Sequence, residues 1–341
     1  MSTNAPALLR VENLKTEFST DQGPVTSVDE VSFSLAAGET LCLVGESGSG
    51  KSVTALSIMG LLADNGRITA GSVMFEGQDL VTLPESRLRG VRGNSMAMIF
   101  QEPMTSLNPV LTIGDQLSES MILHRGLTRK QARVRVVELL EKVGIPRAGA
   151  VVDDYPHRLS GGMRQRAMIA MALSCEPQLI IADEPTTALD VTIQAQILQL
   201  MRDLSDETGT AMIFITHDLG VVAEMADRVA VMYAGQVVEE TDVYTLFEEP
   251  KHPYTVALLR SIPHLSAPPG ERLASISGSV PSLLQMPGGC RFAERCPQAM
   301  DRCVGERPEL LTISGPRAHA VRCLLYDGAP QPRATEAAVP A

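Results

Sequence analysis

Short aliphatic runs punctuated by Gly and Pro open the chain. LLRVENL at 8–14, VSFSL at 31–35 and TLCLV at 40–44 read as β-strands. From Ser52 the text SVTALSIMGLL takes helical spacing, and 73–101 returns to strand-like pieces ending in MAMIF. Between Thr112 and about Ser174 the pattern is helical. One start is well marked: Thr128 with Gln131 three residues on predicts a capping box, and Val134, Val137, Leu140 and Val143 repeat at helical intervals until Gly144. Two aliphatic strands follow, LIIA at 179–182 and AMIFIT at 211–216, with a helix between them. Strand, helix, strand with uninterrupted aliphatic strands predicts a parallel sheet covered on both faces, hence an α/β fold. After about Glu240 the periodicity fades. Thirteen of the 22 prolines lie from Pro250 onward, so this part reads as a separate, loop-rich extension with a disordered tail, PQPRATEAAVPA.

Composition narrows the function. Hydrophobic residues make up 44% of the 341, ample for a buried core, but aromatics are only 4%, so that core must be aliphatic. A net charge of -11 argues against a general nucleic-acid binder, which needs a basic face for phosphates. The N-terminal text MSTNAPALLRVENLK has no apolar signal-peptide core, and no window approaches the roughly 20 apolar residues that cross a bilayer. A cytoplasmic protein is expected. Cys42 and Cys175 sit in apolar segments and read as core residues. The other four, Cys290, Cys296, Cys303 and Cys323, are clustered, and in a reducing compartment such a group more often binds a metal than forms disulfides.

The segment Gly45-Glu46-Ser47-Gly48-Ser49-Gly50-Lys51-Ser52 matches G-x-x-x-x-G-K-[ST] between a strand and a helix, the context that pattern requires. Its glycines let backbone N–H groups close around phosphate oxygens, and the helix N-terminus adds positive potential. Lys51 supplies a full charge to β/γ-phosphates. Ser52 is a candidate Mg2+ ligand. Asp183, closing the LIIA strand, suits a Mg2+ contact, and Glu184 beside it is placed to act as general base on an attacking water. His217 ends the next strand and is a candidate γ-phosphate contact.

A second anion site separates this chain from kinases and GTPases. Leu159-Ser160-Gly161-Gly162-Met163-Arg164-Gln165 offers a hydroxyl and Gly N–H groups at a helix start, and it resembles the LSGGQ signature of ATP-binding cassette proteins. Met163 takes the place of the glutamine, and Gln165 lies further along. The resemblance spans about residues 8 to 250. It implies a P-loop NTPase with a RecA-like parallel core, an N-terminal antiparallel β subdomain and an inserted helical subdomain near 102–172. It further implies a cassette over 1–244, an extension over 245–341, and two cassettes that sandwich ATP between the phosphate loop of one and the signature of the other. By the same resemblance Gly45 through Ser52, Val53, Asp183, Ser160, Gly161, Gly162 and Asp190 bind the nucleotide. Gln101 looks like the Q-loop glutamine on Mg2+ and water, and Ala188-Leu189-Asp190 looks like the D-loop. Phe18 stands where the family has an adenine-stacking Tyr.

LSGGMRQR, GESGSGKS, FQEPMTSLNP and the HPYT–ALL–SIP run at 252–263 are similar to the oligopeptide/dipeptide importer ATPases, which include nickel and glutathione systems. That likeness implies a subunit on the cytoplasmic face of the membrane that hydrolyses ATP to drive solute import. Its partners would be a second ATPase subunit (self or a paralogue), two permeases and an extracytoplasmic solute-binding protein. It also implies a [4Fe–4S] cluster on Cys290, Cys296, Cys303 and Cys323, with zinc or four unligated thiols as alternatives. The rival class is a soluble cassette ATPase acting on nucleic acid or ribosomes.

Overall fold

The computed structural model describes residues 7–101, 106–187, 189–261, 275–313 and 317–328. Parts of FQEPMTSLNP, Ala188 of the D-loop segment, the end of the 252–263 run and the C-terminal tail lie outside them.

Two sheets organise the chain. The first is antiparallel, in the order β2-β1-β4-β5, from β1 (Leu9–Thr20), β2 (Gly23–Leu35), β4 (Gly66–Phe75) and β5 (Gln78–Asp79). The second runs β11-β12-β10-β9-β3-β8-β7-β6. Its members are β3 (Thr40–Val44), β6 (Met96–Ile99), β7 (Leu179–Asp183), β8 (Ala211–Thr216), β9 (Arg228–Tyr233), β10 (Gln236–Asp242), β11 (Leu311–Ile313) and β12 (His319–Val321). From β6 through β9 the neighbours are parallel, and β10, β12 and β11 continue antiparallel.

Alternation along the parallel strands sends side chains to two cores. Cys42, Val44, Ile180, Ala182, Met212 and Phe214 join the helical side, while Leu41, Leu43, Ile181, Ile213 and Ile215 meet the antiparallel sheet. Strands buried on both faces need no polar alternation, which is why TLCLV, LIIA and AMIFIT are continuously apolar.

The helices, in chain order, are α1 (Lys51–Met59), α2 (Glu85–Val91), α3 (Ile113–Arg125), α4 (Arg129–Lys142), α5 (Ala148–Val151), α6 (Gly161–Leu173), α7 (Val191–Thr208), α8 (Leu219–Met225), α9 (Val243–Glu248), α10 (Pro253–Arg260) and α11 (Arg302–Gly305). Helix α4 starts with the expected capping box, both reciprocal bonds between Thr128 and Gln131 being present. Helix α2 falls within 73–101, a stretch read as strand-like pieces. None of its residues is buried, so no apolar face announces it.

The extension is loop-rich, yet it is tied into the main sheet. Strand β12 pairs with β10 at Glu239–Val321 and Thr241–His319, so a segment with weak periodicity of its own becomes a sheet edge. Among the described residues no helix is long and apolar enough to cross a membrane.

Candidate functional site: a phosphate loop and its carboxylates

Strand β3 is buried along its whole length and delivers the chain into a turn that only glycine can make. Gly45 has φ +149°, and a Cβ there would stand 2.1 Å from the Met232 carbonyl oxygen. Gly50, at φ +98°, would meet the Ser27 carbonyl at 2.7 Å. The loop backbone is therefore pressed against the β9–β10 turn and β2. Ser47 and Gly48 are exposed, Ser49 is buried, and Val53 packs on the core beneath the antiparallel sheet. Lys51 is 5% exposed, and its Nζ donates to the carbonyls of Gly45 (2.8 Å) and Glu46 (3.0 Å). Burial lowers the pKa of Lys51, against the upward pull of Glu184, Asp183 and Glu46.

Opposite this loop, the ends of three parallel strands converge. Ser52 Oγ donates to Asp183 Oδ1 at 3.0 Å. Burial raises the Asp183 pKa, and the Ser52 bond opposes it. Glu184 adopts φ +46°, a left-handed conformation costly for a residue with a Cβ, and its N–H donates to Ile215 O on β8. That turn points its carboxylate at three partners. Thr187 Oγ1 donates at 2.9 Å, Gln101 Nε2 donates at 3.2 Å, and His217 Nδ1 lies at 3.2 Å. Burial alone would raise the Glu184 pKa. The bonds from Thr187 and His217, with the charges of His217 and Lys51, outweigh it and hold the pKa below the ordinary value. Glu184 is thus an ionised, oriented carboxylate near neutral pH. Sequence reasoning missed Thr187; the signal was a hydroxyl three residues after the glutamate at a strand end.

The signature residues sit elsewhere. Ser160 caps α6, its Oγ accepting from Met163 N at 3.3 Å, and Ser160 and Gly161 are exposed. A Cβ on Gly162 would stand 2.9 Å from Ile193 Cγ2. Asp190 caps α7 through Ile193 N at 3.0 Å and is also exposed, so the two motifs adjoin at Ile193. Among the described residues, neither Ser160 nor Asp190 hydrogen-bonds to the phosphate loop of its own chain. Phe18 is half-buried on β1, paired with Val25 and Gly66, and a Cβ on Gly66 would come within 2.6 Å of its ring.

The cysteine expectation is corrected. Cys42 and Cys175 are buried core residues. Cys290, Cys296, Cys303 and Cys323 are free, and close enough to disfavour one another's ionisation. However, no group of three or more His, Cys, Asp or Glu among the described residues is arranged to hold a metal. Neither the iron–sulfur cluster nor zinc is supported. Burial pushes the thiols of Cys290 and Cys296 up, and that of Cys323 up to about 11, so these groups are neutral thiols. The surrounding segment is held instead by arginine–carboxylate pairs and packed rings.

A glycine-rich loop between a parallel strand and a helix, facing carboxylates at neighbouring strand ends, defines a P-loop nucleoside triphosphatase. Comparison with known proteins is more specific. A family profile described as ABC transporter matches residues 28–187, and one described as oligopeptide/dipeptide transporter, C-terminal region, matches 238–303. The oligopeptide transport ATP-binding protein AppD of Bacillus subtilis is 58% identical over 323 residues, covering 94% of this chain and 97% of that protein. The dimeric post-hydrolysis state of the ATP-binding cassette MJ0796, bound to ADP and Pi, superposes with TM-score 0.63. It is 28% identical and covers 69% of this chain and 98% of that one. CbiO1 of Clostridium perfringens, part of the ABC transporter complex cbiONQ, gives TM-score 0.60 at 27% identity, covering 71% and 91%. The chain belongs to the ABC transporter family and is one of its ATPases.

Proposed function

We propose that this chain is the ATPase subunit of a peptide importer at the cytoplasmic face of a membrane, acting with a second ATPase subunit, two permeases and an extracytoplasmic solute-binding protein. The likeness to AppD over nearly the whole of both chains supports peptide import. The rival reading, a soluble cassette acting on nucleic acid or ribosomes, gains no support from the relatives. In this reading residues 1–244 form the cassette, 102–172 its helical subdomain and 245–341 the extension.

One observation carries the mechanism: Glu184 is held by Thr187, Gln101 and His217 directly beside the Ser52–Asp183 pair. Backbone N–H groups of 45–52 and Lys51 bind the triphosphate. Ser52 and Asp183, with Gln101, form a hard-oxygen donor set that fits Mg2+, and the desolvation of the buried Asp183 is opposed by the Ser52 hydrogen bond and the Lys51 charge. When bound, that ion would neutralise charge developing on the β- and γ-phosphates. Glu184 accepts a proton from the attacking water, and His217 both holds Glu184 and contacts the γ-phosphate. Phe18 stacks on adenine, a role its half-exposed face supports. Ser160, Gly161, Gly162 and Asp190 act on the partner's nucleotide, in keeping with the exposure of Ser160, Gly161 and Asp190.

Glu184→Gln tests this directly. ATP binding should persist and closed dimers accumulate, while turnover falls by about 10²–10⁴-fold. Turnover at the parental rate would remove Glu184 from the role of base.

A further inference from the structure

Strand β3 and helix α1 carry the phosphate loop, but a second support reaches it from some 250 residues further along. Glu46, the loop's second residue, holds a side chain of the extension with its carboxylate. Arg295 grips it as a fork: Nη1 to Oε2 at 2.6 Å and Nη2 to Oε1 at 3.0 Å. The Arg295 side chain is 5% exposed and has little freedom to move. It also donates to Ser277 O (2.9 Å), Ile276 O (3.3 Å) and the Tyr233 hydroxyl (3.3 Å), and it lies over the rings of Tyr233 and Phe292. From the same cluster, the Tyr254 hydroxyl accepts the backbone N–H of Glu46 at 2.9 Å. Tyr233, Tyr254 and Phe292 pack with centroids 4.7 to 5.4 Å apart, which fixes that hydroxyl.

The other flank of the loop is tied as well. Ser49 O accepts from Gly235 N at 2.9 Å, and Gly235 O accepts from Asp29 N at 2.8 Å. The Asp29 carboxylate in turn holds Arg291 and Arg307, both from the extension. These contacts act on the loop's shape.

We infer that Arg295 and Tyr254 are positioning residues for the nucleotide: the extension braces the phosphate loop at Glu46 and thereby sets its affinity for ATP. This rests on reading 45–52 as the triphosphate site. A loop ordered in advance loses less conformational freedom when it binds, so removing the brace weakens binding rather than chemistry. The planar guanidinium fork matters, because a lysine ammonium cannot span both carboxylate oxygens.

The full-length chain tests the brace through ATP titration and steady-state hydrolysis. Arg295→Ala should raise the Kd and KM for ATP about tenfold, with kcat within about twofold because the Glu184 partners are untouched. Arg295→Lys and Tyr254→Phe keep most of the packing and should each raise Kd about threefold in protein that the unfolding midpoint shows to be folded at the assay temperature. Folded Arg295→Lys and Tyr254→Phe proteins with parental ATP affinity would overturn the brace. So would a fall in kcat with Kd unmoved. Lys51→Ala separates the two readings. If it leaves ATP affinity intact, the triphosphate site itself is misassigned. If it abolishes binding while the brace variants bind normally, only the brace falls.

Discussion

The phosphate loop and the extension that grips it are built on opposite principles. The loop works through backbone: glycines at 45, 48 and 50 take positive φ, and Lys51 bonds to carbonyls within its own turn. Its parts are adjacent in sequence, and their tolerance for side chains is almost nil where Met232 O and Ser27 O press in. The extension works through side chains from distant positions: Arg291 and Arg307 on Asp29, Arg295 on Glu46, Arg322 on the carbonyls of Val237 and Pro308. A loop that must present N–H groups to a moving ligand is made rigid locally. A segment with little apolar periodicity is instead anchored by arginines, several of them buried, each of which needs its carboxylate or carbonyl partner in place.

That contrast can be broken at either end, and the largest effect belongs to the loop. Gly45→Ala forces a Cβ against the Met232 carbonyl at a φ that disfavours side chains, and it should cost more than about 4 kcal/mol and abolish ATP binding. Urea unfolding and nucleotide titration check both. Next comes Asp29→Asn in the extension's clasp. It leaves Arg291, whose side chain is 9% exposed, without its carboxylate and should cost about 3 kcal/mol, read as a lower denaturation midpoint.

Acid sharpens the comparison. Burial depresses the His252 pKa to about 4, against the upward pull of Glu239. The Glu239 carboxylate is itself kept below its ordinary pKa by His319 and the backbone N–H groups of Lys251 and His252, which outweigh its burial. The unfolded chain, with an ordinary histidine near 6.5, binds more protons than the folded one between pH 6.5 and 4, so stability falls as pH drops through that window. About 2 kcal/mol should be lost at pH 5, and His252→Asn should flatten the profile. Unchanged stability from pH 7 to 5 would contradict a buried, neutral His252. The smallest effect is at the surface of the helical region. Arg133 and Asp153 are joined by two 2.7 Å bonds, but their side chains are 51% and 63% exposed. Arg133→Gln should leave the unfolding midpoint unchanged, unlike Asp29→Asn.

How much of this was legible varied with sequence distance. TLCLV, LIIA and AMIFIT announce buried strands because aliphatic side chains must leave water on both faces of a parallel sheet. GESGSGKS announces a turn because φ values near +80° to +150° exclude other residues. Thr187 and the left-handed Glu184 carried no comparable signal, since a hydroxyl near a carboxylate is common in any loop. The cysteine spacing misled for the same reason: four thiols close in sequence do not fix the directions in which their Cβ bonds point.

Sequence alone determined the phosphate loop, the cap of α4 and the parallel strands, all features whose physics is satisfied within a few residues. Only the tertiary structure decided that Arg295 meets Glu46 and that β12 completes the sheet edge. It also decided that Gln101, Thr187 and His217 surround one carboxylate. Such contacts depend on where the folded backbone brings long, flexible or isolated polar side chains. No local periodicity encodes that meeting, because each partner gains from the other only after both have left water together.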